Sequence, residues 1–172
     1  REIDGKGRMG ETGDVSGPDA LVGRRTLDAP ADMEAFGREL GARLRAGDLV
    51  VLTGPLGAGK TTLTRGIAAG LGVRGPVQSP TFVIARTHPS LVGGPALIHV
   101  DAYRLGSAAE LDDLDLDLDH AVVIVEWGRG MVDGLRDEWW EVELDRPGAT
   151  PSADEAELDA DAPRVATVTR RP

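Results

Sequence analysis

Residues 54–62 read Gly-Pro-Leu-Gly-Ala-Gly-Lys-Thr-Thr and fit the pattern G-x-x-x-x-G-K-[ST]. These types at this spacing suit the holding of a chain of phosphates. Glycines let the backbone wrap an anion with its N–H groups turned inward, Lys60 reaches the β- and γ-phosphates, and the Thr61 hydroxyl can ligate Mg²⁺. Gly54, Pro55, Leu56, Gly57, Ala58, Gly59, Lys60, Thr61 and Thr62 are therefore the candidate nucleotide-binding residues.

Such a loop supplies neither the carboxylate that completes a metal site nor the group that orients a nucleophile. Glu126 directly follows the apolar run Ala121 to Val125, the place of a Walker B acid, and is the candidate to share Mg²⁺ with Thr61. The plainer alternative is a solvated Glu at a strand end. Asp101 ends Leu97-Ile98-His99-Val100; it could hold a metal-bound water, act as a base, or only cap the following turn. Lys60, Asp101 and Glu126 form the candidate catalytic set. Ser79-Pro80-Thr81 lies where switch segments sense a γ-phosphate, or is a plain turn. Arg104 and Trp127 are candidate switch or partner-facing residues; Trp127 could equally stack near a nucleotide or fill the core. His88, His99 and His120 show no ligand spacing and read as structural.

These residues need a scaffold, and the flanking pattern predicts one. Asp48 to Thr53 is a continuous apolar run ending at Gly54, as expected of a strand buried on both faces, and Ala121 to Val125 is a second. After the loop, Leu63, Ile67 and Leu71 mark one helix face, with Gly72 placed to end it. Strand, loop and helix in this order put a helix N-terminus at the phosphate site. Upstream, a short strand is expected around Arg25 to Leu27. Asp28-Ala29-Pro30 signals a helix start, and Met33, Phe36, Leu40 and Leu44 mark a face of a helix ending near Gly47. Downstream, Thr81 to Thr87 and Ala96 to Val100 read as a hairpin around Gly93-Gly94, and Glu110 to Asp119 as a short helix or irregular turn. Trp139 to Leu144 and Val165 to Thr169 alternate like a pair of half-exposed strands. The fold class is α/β, a three-layer P-loop NTPase-like fold whose mixed sheet has a parallel core and antiparallel hairpins.

At 172 residues the chain suits one domain, over 23–172, with residues 1–22 expected to be a disordered tail and 147–163, with five acids and no base, a mobile loop. There is no cysteine, so disulfides, cysteine-ligated zinc and thiol catalysis are excluded. Nothing resembles a signal peptide or membrane span, which leads us to expect a cytoplasmic protein that does not engage membranes. The net charge of −10 disfavours direct capture of a polyanion.

Gly-Ala-Gly-Lys-Thr-Thr at 57–62, Arg65-Gly66, Ser79-Pro80-Thr81-Phe82, Asp101-Ala102-Tyr103-Arg104-Leu105 and Val125-Glu126-Trp127 together resemble the TsaE (YjeE) family, small bacterial P-loop ATPases, in order and separation across 24–145. The resemblance implies Mg²⁺-dependent ATP hydrolysis, weak alone and stimulated by partners. It also implies a complex with TsaD and TsaB that places a threonylcarbamoyl group on the adenosine beside the anticodon, so that tRNA is met indirectly through the complex. By the same resemblance Lys60 and Thr61 hold phosphate and Mg²⁺, Glu126 completes the metal site and Asp101 supports hydrolysis. Two positions depart from the family pattern: Pro55 where Asp is frequent, and Gly128 where Pro is.

Two other functions use the same loop. A small-molecule kinase would employ Asp101 as base and Arg104 as an anion clamp, although no arginine-rich lid follows the hairpin. A non-hydrolysing ATP-binding switch would need the loop alone. A GTPase is disfavoured, because [NT]-K-x-D needs a lysine outside the phosphate loop, and apart from Lys6 in the N-terminal segment there is none.

Overall fold

In the computed structural model the described residues are 17–55, 57–77, 84–147 and 162–172. They form a seven-stranded sheet of β1 (Gly23–Leu27), β2 (Leu49–Thr53), β3 (Ala85–His88), β4 (Ala96–Asp101), β5 (Ala121–Glu126), β6 (Trp139–Asp145) and β7 (Arg164–Arg171). Three helices accompany it: α1 (Pro30–Arg43), α2 (Lys60–Leu71) and the short α3 (Ala108–Asp112). The strand order is β1-β7-β6-β2-β5-β4-β3. β6, β2, β5 and β4 run parallel, while β3 pairs antiparallel with β4 and β7 antiparallel with both β6 and β1.

The two apolar runs are continuous because both faces of their strands are covered. Val50 and Leu52 of β2, with Val122 and Ile124 of β5, pack among Met33, Phe36 and Leu40 of α1 and Leu63 and Ile67 of α2. Leu49, Val51, Val123 and Val125 turn the other way, toward Leu111, Val132 and the leucines at 114, 116 and 118. Those leucines are the apolar half of the alternating Leu-acid stretch; only its first part is helical, with the Ser107 side chain accepting a hydrogen bond from Glu110 N.

α1 and α2 meet backbone to backbone. Gly37 and Gly41 on α1 face Gly66 and Gly70 on α2, and a Cβ on Gly37 would lie 2.6 Å from Leu63 O. On Gly41, Gly66 or Gly70 an added Cβ would overlap a main-chain carbonyl oxygen of the opposite helix. Four glycines thus set how closely α2, and with it the phosphate loop, is held against α1.

Two expectations are corrected. The tail does not reach residue 22: Pro18–Leu21 forms a 3-10 turn with Leu21 only 2% exposed, because that side chain joins the core on the α1 side. Residues 1–16 lie outside the described residues, as do 148–161 of the acidic segment. β6 is not half-exposed: it lies between β2 and β7, and Trp140, Glu141, Val142 and Leu144 are all buried. Glu141 tolerates this because Arg129 and Arg171 pair with it. The second hairpin strand is β4, but the described part of the first is Ala85–His88, with 81–83 outside the described residues.

Candidate functional site

β2 ends at Thr53, and the chain turns at once into the loop. Gly54 is buried under β6, where a Cβ would lie 2.7 Å from Leu144 O. Gly59, at φ 101°, swings the backbone into α2 through a left-handed conformation that a side chain would strain. It also leaves the helix without a side-chain cap: the first bond into the helix is from Leu63 N to Gly59 O, at 2.9 Å. The N–H groups of the first turn are thereby available to an anion, at the positive end of the helix dipole.

Lys60 is the first residue of α2 and is buried, 8% exposed. Its Nζ donates to Gly54 O at 2.6 Å and sits 3.9 Å from the centre of the Trp127 ring. Burial lowers its pKa below the ordinary lysine value, while the charges of Glu126 and Asp101 pull it back up. Both carboxylates therefore act on the loop lysine. The parallel register explains why: Leu52 and Asp101 flank Glu126 on neighbouring strands, so three strand ends converge beside the loop.

Glu126 is 4% exposed and is the last residue of β5. Its Oε2 lies 2.8 Å from Nε2 of His99, a side chain with no exposed surface. Asp101 Oδ1 accepts a hydrogen bond from Tyr103 N at 3.0 Å, so the carboxylate caps the turn that follows β4 while remaining within electrostatic reach of Lys60. Thr61 and Thr62 are partly buried in the first turn of α2, and Ala58 is buried beneath it. Pro55 and Gly57 are exposed on the loop's outer side. Trp127 follows at φ 60°, donates its main-chain N–H to Leu52 O at 3.4 Å, and is 41% exposed. Its ring packs against Tyr103, itself 70% exposed, with centroids 5.4 Å apart. Arg104 is exposed on the next residue. Leu56, Ser79 and Thr81 lie outside the described residues.

Lys60, Thr61, Asp101, Glu126 and Trp127 are thus brought to one edge of the sheet. Among the described residues no group of three or more His, Cys, Asp or Glu side chains could cage a metal. A hydroxyl and one or two carboxylates suit Mg²⁺, which takes most of its remaining ligands from substrate phosphates and water. Three contributors escaped the sequence reasoning. His99 was legible in principle, since it stands two residues before Asp101 and so on the same strand face. Tyr103, two residues after Asp101, stands out in the sequence only as part of the Asp-Ala-Tyr-Arg-Leu stretch. Arg164 had no local signal: it starts β7 and donates to Gly57 O at 3.3 Å across 107 residues of chain.

A parallel-cored sheet with a glycine-rich loop running from its central strand into a helix, and carboxylates at the neighbouring strand ends, defines an α/β protein of the P-loop-like class. The solved crystal structure of Bacillus subtilis YdiB has a similar fold, with a TM-score of 0.62, 30% identity, and coverage of 84% of this chain and 82% of that one. The chain belongs to the TsaE family, whose profile, described as threonylcarbamoyl adenosine biosynthesis protein TsaE, matches residues 27–152. Relatives named tRNA threonylcarbamoyladenosine biosynthesis protein TsaE include one from Streptomyces coelicolor, 61% identical over 66% of this chain and 79% of the relative. One from Mycobacterium tuberculosis is 52% identical over 72% and 79%, and one from Bacillus subtilis 36% identical over 72% and 77%. No helix among the described residues is long and apolar enough to cross a membrane.

Proposed function

We propose that this chain is the Mg²⁺-dependent ATPase of tRNA threonylcarbamoyladenosine synthesis, working with TsaD and TsaB on the adenosine beside the anticodon. Membership of the TsaE family supports the pathway. The observation that carries the chemistry is the convergence of Glu126 and Asp101 on the buried ammonium of Lys60 at the start of α2.

In this reading residues 54–62 wrap the triphosphate. Lys60 exchanges Gly54 O for phosphate oxygens, and the first-turn N–H groups of α2 complete the cradle. Thr61 and Glu126 would hold Mg²⁺, which when bound neutralises charge on the phosphate oxygens. Asp101 orients the attacking water from the end of β4. The exposed Trp127, Tyr103 and Arg104 stand at the rim, where a partner or the rest of the nucleotide would meet them. The acidic chain leaves the tRNA to its partners, and the work is done in the cytoplasm.

The test is a reconstituted modification reaction with TsaD, TsaB and substrate tRNA. Wild-type protein should sustain repeated rounds and Lys60→Ala should not. A Lys60→Ala protein that sustains the reaction at the wild-type rate would refute the proposal.

A further inference from the structure

Among the described residues, the one fully buried ionisable side chain touching the candidate site that has no part in the reading above is His99. It lies on β4 two residues before Asp101, opposite Ile124 of β5, so its ring and the Glu126 side chain project from the same face of neighbouring parallel strands. Nε2 is 2.8 Å from Glu126 Oε2, and Nδ1 is buried with no hydrogen-bond partner among the described residues. A carboxylate only accepts, so hydrogen-bond bookkeeping puts the imidazole proton on Nε2, donating to Oε2. A protonated Nδ1 would be a buried donor without an acceptor.

We infer that His99 is a positioning residue for Glu126: by holding Oε2 it fixes the carboxylate's rotamer and leaves Oε1 as the oxygen presented to Mg²⁺. This rests on the proposal that Glu126 is a metal ligand. A side chain at the end of a strand beside an open crevice otherwise has several rotamers to choose from. A rigid donor from the adjacent strand removes that choice, as the outer partners of metal-ligating carboxylates do. His99 touches neither nucleotide nor metal in this scheme.

Three variants separate positioning from packing. His99→Leu keeps an apolar volume and removes the donor. His99→Gln can place an amide N–H near the position of Nε2, whereas the shorter His99→Asn cannot. ATP binding would be measured calorimetrically in EDTA and then across a Mg²⁺ titration, alongside steady-state hydrolysis and thermal unfolding. The inference predicts that His99→Leu binds ATP in EDTA like wild type, needs roughly 10-fold more Mg²⁺ for tight binding, and loses about 10- to 100-fold in kcat with KM changed less than about 3-fold. His99→Gln should return to within about 3-fold of wild type, and His99→Asn should behave as His99→Leu. If His99→Leu fails to fold, the Gln and Asn pair decides. Wild-type Mg²⁺ dependence in His99→Leu, or equal loss in the Gln and Asn proteins, would overturn the positioning role while leaving the ATPase reading intact. A wild-type protein whose ATP binding ignores Mg²⁺ would instead refute the assignment of Glu126, and this inference with it.

Discussion

Burial pushes the Lys60 ammonium below its ordinary range, and among the described residues Glu126 and Asp101 oppose that shift. On the proposed function Glu126 also holds the metal, a role that EDTA takes out of the comparison. We expect Glu126→Gln to bind ATP in EDTA as well as wild type, yet to lose about 10²- to 10³-fold in kcat, checked by ADP release at saturating Mg²⁺. His88 gives a prediction at the same scale. Burial lowers its pKa from 6.5, partly countered by the hydrogen bond from its Nδ1 to Arg74 O. A histidine held neutral when folded, but free to protonate when unfolded, makes stability rise with pH through the window that ends near 6.5. Urea midpoints should accordingly fall as pH is lowered from 7.5 to 5.5, and less steeply in His88→Gln. An identical slope in the variant would show that other groups set the acid limit.

α2 carries the loop's lysine and threonines, so whatever fixes α2 fixes the site. Helix propensity alone would credit Gly41→Ala with about 1 kcal/mol of stabilisation. The added methyl would, however, overlap the carbonyl of Ile67 on the facing helix. Separation of two packed backbones outweighs propensity, and we expect a net loss of about 2–4 kcal/mol by urea unfolding, with weakened ATP binding. A more stable Gly41→Ala protein would contradict the close-packed pair. On the opposite flank, Arg129 holds the segment after Trp127 to β6 through Glu141 and, at 3.0 Å, Glu143. The arginines are half-exposed, which discounts the pair. Glu141→Ala should still cost about 1–3 kcal/mol, because it leaves Arg129 and Arg171 without their shared acceptor. The strands, α1 and α2 were legible because burial on one or two faces leaves a period in the residues themselves. The glycine contact was not, since it depends on glycines 25 or more positions apart, on two different helices, finding the same crossing point. Nor was the burial of Glu141, whose cover comes from Arg129 and Arg171 rather than from its own strand.

Across the whole molecule, a charge of −10 surrounds a loop that, on the proposed function, receives polyphosphate. The two are compatible when the attraction is local: buried Lys60, the first turn of α2 and the loop amides act at short range, while the acidic surface discourages longer polyanions. The chain alone should thus retain no tRNA at about 150 mM salt in a filter-binding or gel-shift assay, and should join tRNA only in the presence of TsaD and TsaB. The loop and the carboxylates at 101 and 126 could be read from sequence because motif and strand end coincide there. The strand face of His99 could be read in the same way, but its partner Glu126 depends on the parallel register, and Arg164 reaches the loop by a contact across 107 residues that exists only in the fold. The measurement that bears most directly on the account is Mg-ATP hydrolysis by the full chain, alone and with TsaD, TsaB and substrate tRNA, with Lys60→Ala as the control. Slow ADP release that the partners accelerate and Lys60→Ala abolishes is the predicted result; release that neither the partners nor the substitution changes would contradict it.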